Sequence, residues 1–555
     1  MSPSNTRRGR RARLLGCAIV TTLVVALTAT DAGAASLNNG VGTKAALNGP
    51  DCDKTRGRIL FVYQGWLPCV KPWPAGSNNG GSTYQGVTKD SIKVVIRTPT
   101  QEEINKGTTP LRNPIINRAT GQFGSVADAV RDSVPMFEKT YQQWGRKLDI
   151  SEVEYSGTDE AANRADAVKI AAMKPFAVID LLGNEVFLTS IAKQKIIGFG
   201  GMAANKVSIS QSPYRWPLGV DGAANALLAA ELIGKQLVGK PAQYAGDPAL
   251  QKKTRVFGTV RSDAADAPDF APALAELKKD GAKLAQDLTY TPPTDSSQLG
   301  TATAEAAPTF IAKLKESGVT SVLALANDYQ MTTALTKAAT ANDYHPEWIV
   351  MGAGYSDIGA LARTFDQDQW RHAFGVSGLY MPVQGLTAGP SDLAFQWYWG
   401  PNAGNYSQAV VTNLEQLYAG IHMAGPKLTP QNFEAGMFSR PPVGGAAEDQ
   451  VTSTGRFYGK HAKLPYNEYL TGGDVALVYW DPDTSGPSVA VNLPDAKGVY
   501  QYLDGGKRYL RGGIPKTAKF FDKSNALNVI TQVPPNDVQP DYPCNGCPSS
   551  TGTTS

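Results

Sequence analysis

A chain of 555 residues is long enough to bury a large core and to divide into at least two lobes. Its 53 Lys plus Arg against 49 Asp plus Glu make it weakly basic, but that excess sits at the N-terminus. Removing the five Arg and one Asp of residues 1–34 takes these counts from 53 to 48 and from 49 to 48, which excludes the basic excess of a nucleic-acid binder.

The first element in chain order is a leader. Arg7, Arg8, Arg10, Arg11 and Arg13 precede an apolar stretch from Leu14 to Ala29, and Ala32-Gly33-Ala34 follows. That is the pattern of an export signal, residues 1–34, cleaved near Ala34-Ala35. The apolar core falls short of the ~20 residues of a spanning helix, and no later apolar run is long enough to cross a bilayer. The paired arginines leave both the general and the twin-arginine export routes open. Leu14-Leu15-Gly16-Cys17 looks like a lipobox, yet Cys17 lies where the apolar region starts, and lipidation there would delete the translocation signal. An extracytoplasmic protein, secreted or held in the cell envelope, is expected.

Residues 35–85 are rich in Gly, Asn and Pro, with one apolar run from Ile59 to Tyr63, and read as an N-terminal arm. Without Cys17 four cysteines remain, an even number that in an exported chain reads as disulfides. Local pairs are expected. Cys52–Cys69 would close an extended loop, worth ~3 kcal/mol on the chain-entropy argument, and Cys544–Cys547 would bracket the turn-forming Asn545-Gly546. The histidines (His345, His372, His422, His461) are scattered without ligand spacing. Neither a metal nor a cofactor is expected.

From Gly86 the pattern becomes alternating strands and helices. Ile92 to Ile96 is nearly all apolar, as in a parallel strand covered on both faces. A long loop runs from Thr98 to Gly124, and Ser125 with Asp128 forms a capping box for a helix striped by Val126, Val130, Val134, Phe137 and Tyr141. Leu148 to Tyr155 reads as a strand, Thr158 as the cap of a helix to Met173, and Phe176 to Leu182 and Lys195 to Phe199 as strands. After a helix from Ala223 to Leu237 a second series begins. It comprises strand Arg255–Val260, helix Pro272–Lys279, strand Ala282–Leu288, a helix with Pro308 in its first turn that stops at Gly318, strand Ser321–Ala326, helix Tyr329–Ala341 and strand Trp348–Met351. Beyond a strand from Phe374 to Tyr380 come helices at Asn405–Met423 and after Thr429, then Gly473 to Asp483, and a closing segment through Tyr509. Two such series make two doubly wound parallel-sheet lobes.

The entry phrase Gly86-Val87-Thr88-Lys89-Asp90-Ser91-Ile92-Lys93-Val94-Val95-Ile96 and the late Tyr479-Trp480-Asp481-Pro482-Asp483 carry a resemblance. The chain resembles solute-binding proteins of the leucine/isoleucine/valine type, in the type I periplasmic-binding-protein superfamily, over about Gly86 to Pro515. The resemblance implies two lobes joined by a three-crossover hinge: lobe 1 from 86–221 and 380–470, lobe 2 from 222–379 and 471–515, with 516–555 as a C-terminal tail. It also implies capture of a small polar molecule, delivery to the membrane permease of an ABC transporter, and a monomer that is not an enzyme.

Ligands of doubly wound lobes meet loops at the carboxyl ends of strands, where helix N-termini present free N–H groups. Candidate contacts are therefore Thr98 and Gln101, Asn184 and Glu185, Gly201 and Met202 from one lobe, and Asn327, Asp328, Tyr329 and Tyr355 from the other. Tyr406 matches a family position that closes over the ligand. Each also reads as a cap, a turn or a core residue. Amino-acid binders of the family hold the ligand carboxylate with a Ser/Thr-rich turn, where this chain has Gly183-Asn184-Glu185, and the acid for the ligand ammonium is displaced to Asp357. A branched-chain amino acid is therefore not the expected ligand, and Glu185 favours a cationic or hydroxyl-rich one. Gly354-Tyr355-Ser356-Asp357-Ile358-Gly359 falls one residue short of a nucleophile elbow. A secreted hydrolase on an α/β scaffold and an extracellular ligand-sensing module remain as alternatives.

Overall fold

The computed structural model describes residues 37–548 apart from 63–66, 107–115, 118–121, 124, 202–205, 220, 265–266, 294–295, 327, 386–389, 401–407, 470–471 and 489–493. The leader with Cys17, and the candidates Met202, Asn327 and Tyr406, lie outside the described residues.

The first sheet is built from β1 (Ser91–Thr98), β2 (Lys147–Glu154), β3 (Ala177–Asp180), β4 (Ile197–Phe199) and β5 (Arg215–Trp216), in the order β2-β1-β3-β4-β5 and all parallel. Alternation along β1 sends Ile92, Val94 and Ile96 to one face and Val95 to the other. Val95 packs with Ala167 and Ile170 of α2 (Glu160–Ala172) and with Phe187, Leu188 and Ile191 of α3 (Glu185–Lys193). The opposite face is covered by α1 (Val126–Glu138) and by three helices that arrive much later in the chain. The Ser125–Asp128 capping box of α1 is present in both directions. The cap of α2 is Asp159, not Thr158: its carboxylate accepts the Ala162 N–H at 2.9 Å, an arrangement open to any side-chain oxygen just ahead of the first turn. The loop expected from Thr98 to Gly124 holds a short helix, Gln101–Lys106, and a two-residue ribbon pairing Ile116–Asn117 with Gln122–Phe123.

A short link then enters α4 (Gly222–Gln236) and the second sheet. The apolar residues of α4 are spread around its circumference because it is buried on most sides. Next come β6 (Phe257–Ser262), α5 (Ala271–Lys279), β7 (Leu284–Tyr290), α6 (Leu299–Glu316), β8 (Ser321–Ala324), α7 (Tyr329–Ala341), β9 (Glu347–Met351) and β10 (Ala373–Ser377). Pro308 lies inside α6 instead of opening it. The Ala-rich turns before it are good helix formers, and Pro308 sits on the exposed side, where the freed carbonyl meets water.

The chain then returns to the first lobe as α8 (Pro390–Trp399), α9 (Gln408–Ala424) and α10 (Pro430–Phe438), whose apolar residues join the core of β1, β3 and β4. It crosses back as β11 (Asp474–Gly486), β12 (Ala496–Leu503), β13 (Arg508–Leu510) and β14 (Ala526–Leu527). The second sheet runs β7-β6-β8-β9-β10-β11-β12-β14, with β13 also on β11. It is parallel through β10 and antiparallel from β11 onward, so lobe 2 is mixed where an all-parallel sheet was expected. Strand β11 returns from the other lobe, outside any right-handed βαβ unit that would fix its direction.

The arm is seated on lobe 1, with Ile59, Phe61, Leu67 and Val70 in its core, and Cys52–Cys69 closes it at a Cα separation of 5.7 Å. Cys544 and Cys547 stand side by side, Cα atoms 5.6 Å apart. The expected tail is built in: Phe520 and Phe521 pack on Phe374, and β14 extends the sheet.

Candidate functional site

The carboxyl edges of the two sheets meet at the first crossover, residues 217–221. On the lobe 1 side Leu218 N–H donates to the Gly201 carbonyl at 2.8 Å, beside the ends of β4 and β5. On the lobe 2 side Asp221 caps α4 by accepting the Ala223 and Ala224 N–H groups, and Asn225 of that helix donates to the Gly352 carbonyl just past β9. Tyr466, near the third crossover, donates its hydroxyl to the other oxygen of Asp221 at 3.1 Å. Burial raises the Asp221 pKa, opposed by the Ala224 and Ala223 N–H groups and by Glu468 and Tyr466. The second and third crossovers are joined by Arg508. Its guanidinium donates to the Leu379 and Gly378 carbonyls at 2.6 and 2.9 Å and to both carboxylate oxygens of Asp474 at 2.8 and 3.1 Å. Both side chains are wholly enclosed.

The wall from lobe 1 rests on buried ion pairs. Arg97, next to last in β1, donates to Asp166, Asp180 and Asn163, with its guanidinium 4.3 Å from the Phe187 ring centre. Asp180 ends β3 and accepts the Asn184 N–H at 2.7 Å. Burial pushes its carboxyl up to about 6, and Arg97 opposes that shift. Asn184 in turn caps α3, accepting the Phe187 N–H. Gly200, with φ +130°, passes so close to β3 that a Cβ there would lie 2.5 Å from the Asp180 carbonyl oxygen, a spacing only glycine permits.

Of the expected contacts, Asn184, Glu185 and Gly201 are brought together. A Cβ on Gly183 would touch Gly201 at 3.0 Å, and one on Gly201 would lie 3.9 Å from Arg215 Nη2. Glu185, however, has a resident cation. Arg215 of β5 holds it in a two-pronged pair at 2.9 and 3.1 Å, and Thr189 adds a hydroxyl. The cationic preference ascribed to Glu185 is therefore corrected: its charge is matched inside the protein. Thr98 ends β1, buried, its hydroxyl donating to the Pro99 carbonyl, whereas Gln101 is exposed and bonds Asn105 on its own helix.

On the lobe 2 side Asp328 caps α7 through the Met331 N–H at 2.6 Å and accepts the Tyr290 hydroxyl. Tyr329 opens that helix, half-buried against the core. Tyr355 takes a left-handed φ of +61° in the turn after β9. The buried Asp357 fastens this turn to the second crossover by accepting the Ser377 hydroxyl and the Gly378 N–H, both at 3.0 Å, and burial raises its pKa against those two bonds. Ser356 is buried and donates to the Ala353 carbonyl, so the near-elbow serine has a structural partner. Arg97, Asp180, Arg215, Tyr290 and Asp221 escaped the sequence reading. Arg97 carried a signal, a cation directly after the apolar run Val94-Val95-Ile96, which must find partners when buried.

Among the described residues no group of three or more His, Cys, Asp and Glu is arranged to hold a metal, and no helix is long and apolar enough to cross a membrane. No family model and no curated protein matches the chain. Among solved structures it is similar to a leucine-, isoleucine-, valine-, threonine- and alanine-binding protein from Brucella ovis in its closed conformation, with 10% identity over 78% of this chain and 99% of that one and a TM-score of 0.46. It is also similar to a solute-binding protein of an ABC transporter from Rhodopseudomonas palustris BisB5 in complex with 3,4-dihydroxybenzoic acid (10% identity, 74% of this chain and 98% of that one, TM-score 0.42). A third such structure is a periplasmic binding protein type 1 from Bordetella pertussis Tohama I (10% identity, 73% and 99%, TM-score 0.41).

Proposed function

We propose that this chain is an exported solute-binding protein that captures a small polar molecule between its lobes and delivers it to the permease of an ABC transporter. The observation that carries this reading is the meeting of the two sheets' carboxyl edges at a short crossover. Two α/β lobes joined through loop crossovers can close like a jaw, and a ligand held by both lobes stabilises the closed state. The proposed contacts lie between Asn184/Glu185 of one lobe and Asp328/Tyr329 of the other, with Thr98, Gln101, Gly201 and Tyr355 as further candidates; Met202, Asn327 and Tyr406 complete the candidate set from outside the described residues. No covalent step is involved, and residues 1–34 direct export.

A thermal-shift screen of amino acids, aromatic acids, polyols and sugars, with mass spectrometry of co-purifying molecules, identifies the ligand. Asp328→Asn, which keeps a capping oxygen but removes the charge, should then weaken binding by about 1–3 kcal/mol, the cost of an unpaired buried partner, with the melting temperature nearly unchanged. Unaltered affinity by titration calorimetry removes Asp328 from the site. Turnover of the ligand by the unmodified protein, or no stabilisation by any compound or co-purifying molecule, would sink the carrier reading.

A further inference from the structure

The segment after the last strand of lobe 2 leaves that lobe and ends on lobe 1. Three residues past β14, the Ile530 N–H donates to the Pro382 carbonyl at 2.8 Å and its carbonyl accepts the Gln384 N–H at 2.9 Å, which fixes the chain to the second crossover. Asp537, 3% exposed, then clasps the segment returning from lobe 1. Its carboxylate accepts the Val451 N–H at 3.1 Å, the Thr452 N–H at 3.2 Å and the Thr452 hydroxyl at 3.0 Å, while Gln450 donates to the Asn536 carbonyl at 2.7 Å. Tyr542 completes the passage: its hydroxyl donates to Asp53 at 2.8 Å, in the arm clipped by Cys52–Cys69, and its carbonyl accepts the Trp397 indole N–H at 2.8 Å. Trp397 is itself set edge-on against Phe61 in the lobe 1 core, ring centres 5.1 Å apart.

We propose that residues 528–548 are an inter-lobe brace that restrains rotation about the three crossovers. Its anchors sit on different bodies: the lobe 2 sheet edge at β14, the hinge at Ile530 and Asp537, and lobe 1 at Tyr542. Five peptide steps separate Asp537 from Tyr542 and reach at most roughly 18 Å. A rotation that would draw the Cα atoms of Asp537 and Tyr542 farther apart than that must break one anchor. The Asp537 anchor resists, because withdrawing its buried carboxylate strands partly buried backbone donors. A terminal segment held only by fraying contacts would offer no such resistance. The brace rests on the fold alone. Its consequence for capture, a narrower open population for the ligand to close, rests on the proposed function.

The test needs no ligand. Spin labels are attached through Val168→Cys on α2, 67% exposed, and Glu305→Cys on the exposed side of α6, and inter-lobe distances are measured by pulsed electron resonance. In the full chain carrying Asp537→Ala and Tyr542→Phe, and in a chain ending at Thr531, the distance distribution should broaden and shift away from the parent's, with unchanged circular dichroism. Should the shortened chain fail to fold, the double substitution decides alone. Distributions that superimpose on the parent's overturn the brace. A broadened distribution in a protein that takes no ligand leaves the brace standing and removes the carrier reading, and the converse result does the reverse.

Discussion

Asp180 ends β3 with its carboxyl group enclosed between Arg97 Nη1 at 3.3 Å and the Asn184 N–H at 2.7 Å, yet burial outweighs both and holds its pKa up at about 6. The folded chain therefore keeps a proton that the unfolded chain, titrating near ~3.9, has already released. With more protons bound in the folded state, stability from this group is fully present below about pH 4, declines as the pH rises toward 6, and then levels off. A shift of about two units is worth at most about 3 kcal/mol. Asp180→Asn should flatten that stretch of the curve, read as urea midpoints across the same pH range. A variant that keeps the full decline would place its origin elsewhere. Residue types at such positions are legible in sequence, but their partners are not: Glu185 and Arg215 stand thirty residues apart in the chain and meet only because β5 lies beside β4.

Elements were legible where their signal was local. The Ser125–Asp128 box, the strand opening at Ile92 and the helix Tyr329–Ala341 need only their own residues, and each is found in place. Helix α3 carried no separate signal in the sequence reading, because its apolar residues run on from β3 and toward β4. The contact between α9 and α10 depends on geometry no local pattern shows. A Cβ on Gly420 would fall 1.9 Å from Phe433 Cζ, in a core where Phe433 also meets Phe199 and Trp216. Gly420→Ala should therefore overpack the lobe 1 core and cost about 1–3 kcal/mol, seen as a lowered denaturant midpoint with an unchanged slope. A neutral or stabilising result, as expected of an exposed helical glycine, would show that α10 yields freely.

At the scale of the molecule the hinge is held by one buried cation. Arg508 joins Gly378 and Leu379 of one crossover to Asp474 of another, and removing it would leave that carboxylate enclosed without its counter-charge, although the Ala446 and Gly455 N–H groups remain. Arg508→Met should cost about 3–5 kcal/mol, the usual loss when one half of a buried pair is removed. Calorimetric melting checks it, and a change of less than about 1 kcal/mol would mean the crossovers hold without the pair. Local signals in the chain specify the alternation of strands and helices and the two series they form, and they favour the pairing of Cys52 with Cys69. These follow from hydrophobic period, caps and short spans, which act between near neighbours. Packing between distant elements established that Glu185 is matched by Arg215 and that Asp328 serves as a cap beneath Tyr290. It alone decided that β11 enters lobe 2 antiparallel and that the C-terminal segment ties lobe 2 to the arm. Each of these joins residues far apart in the chain, and whether a buried charge is free or paired depends on which distant element packs against it.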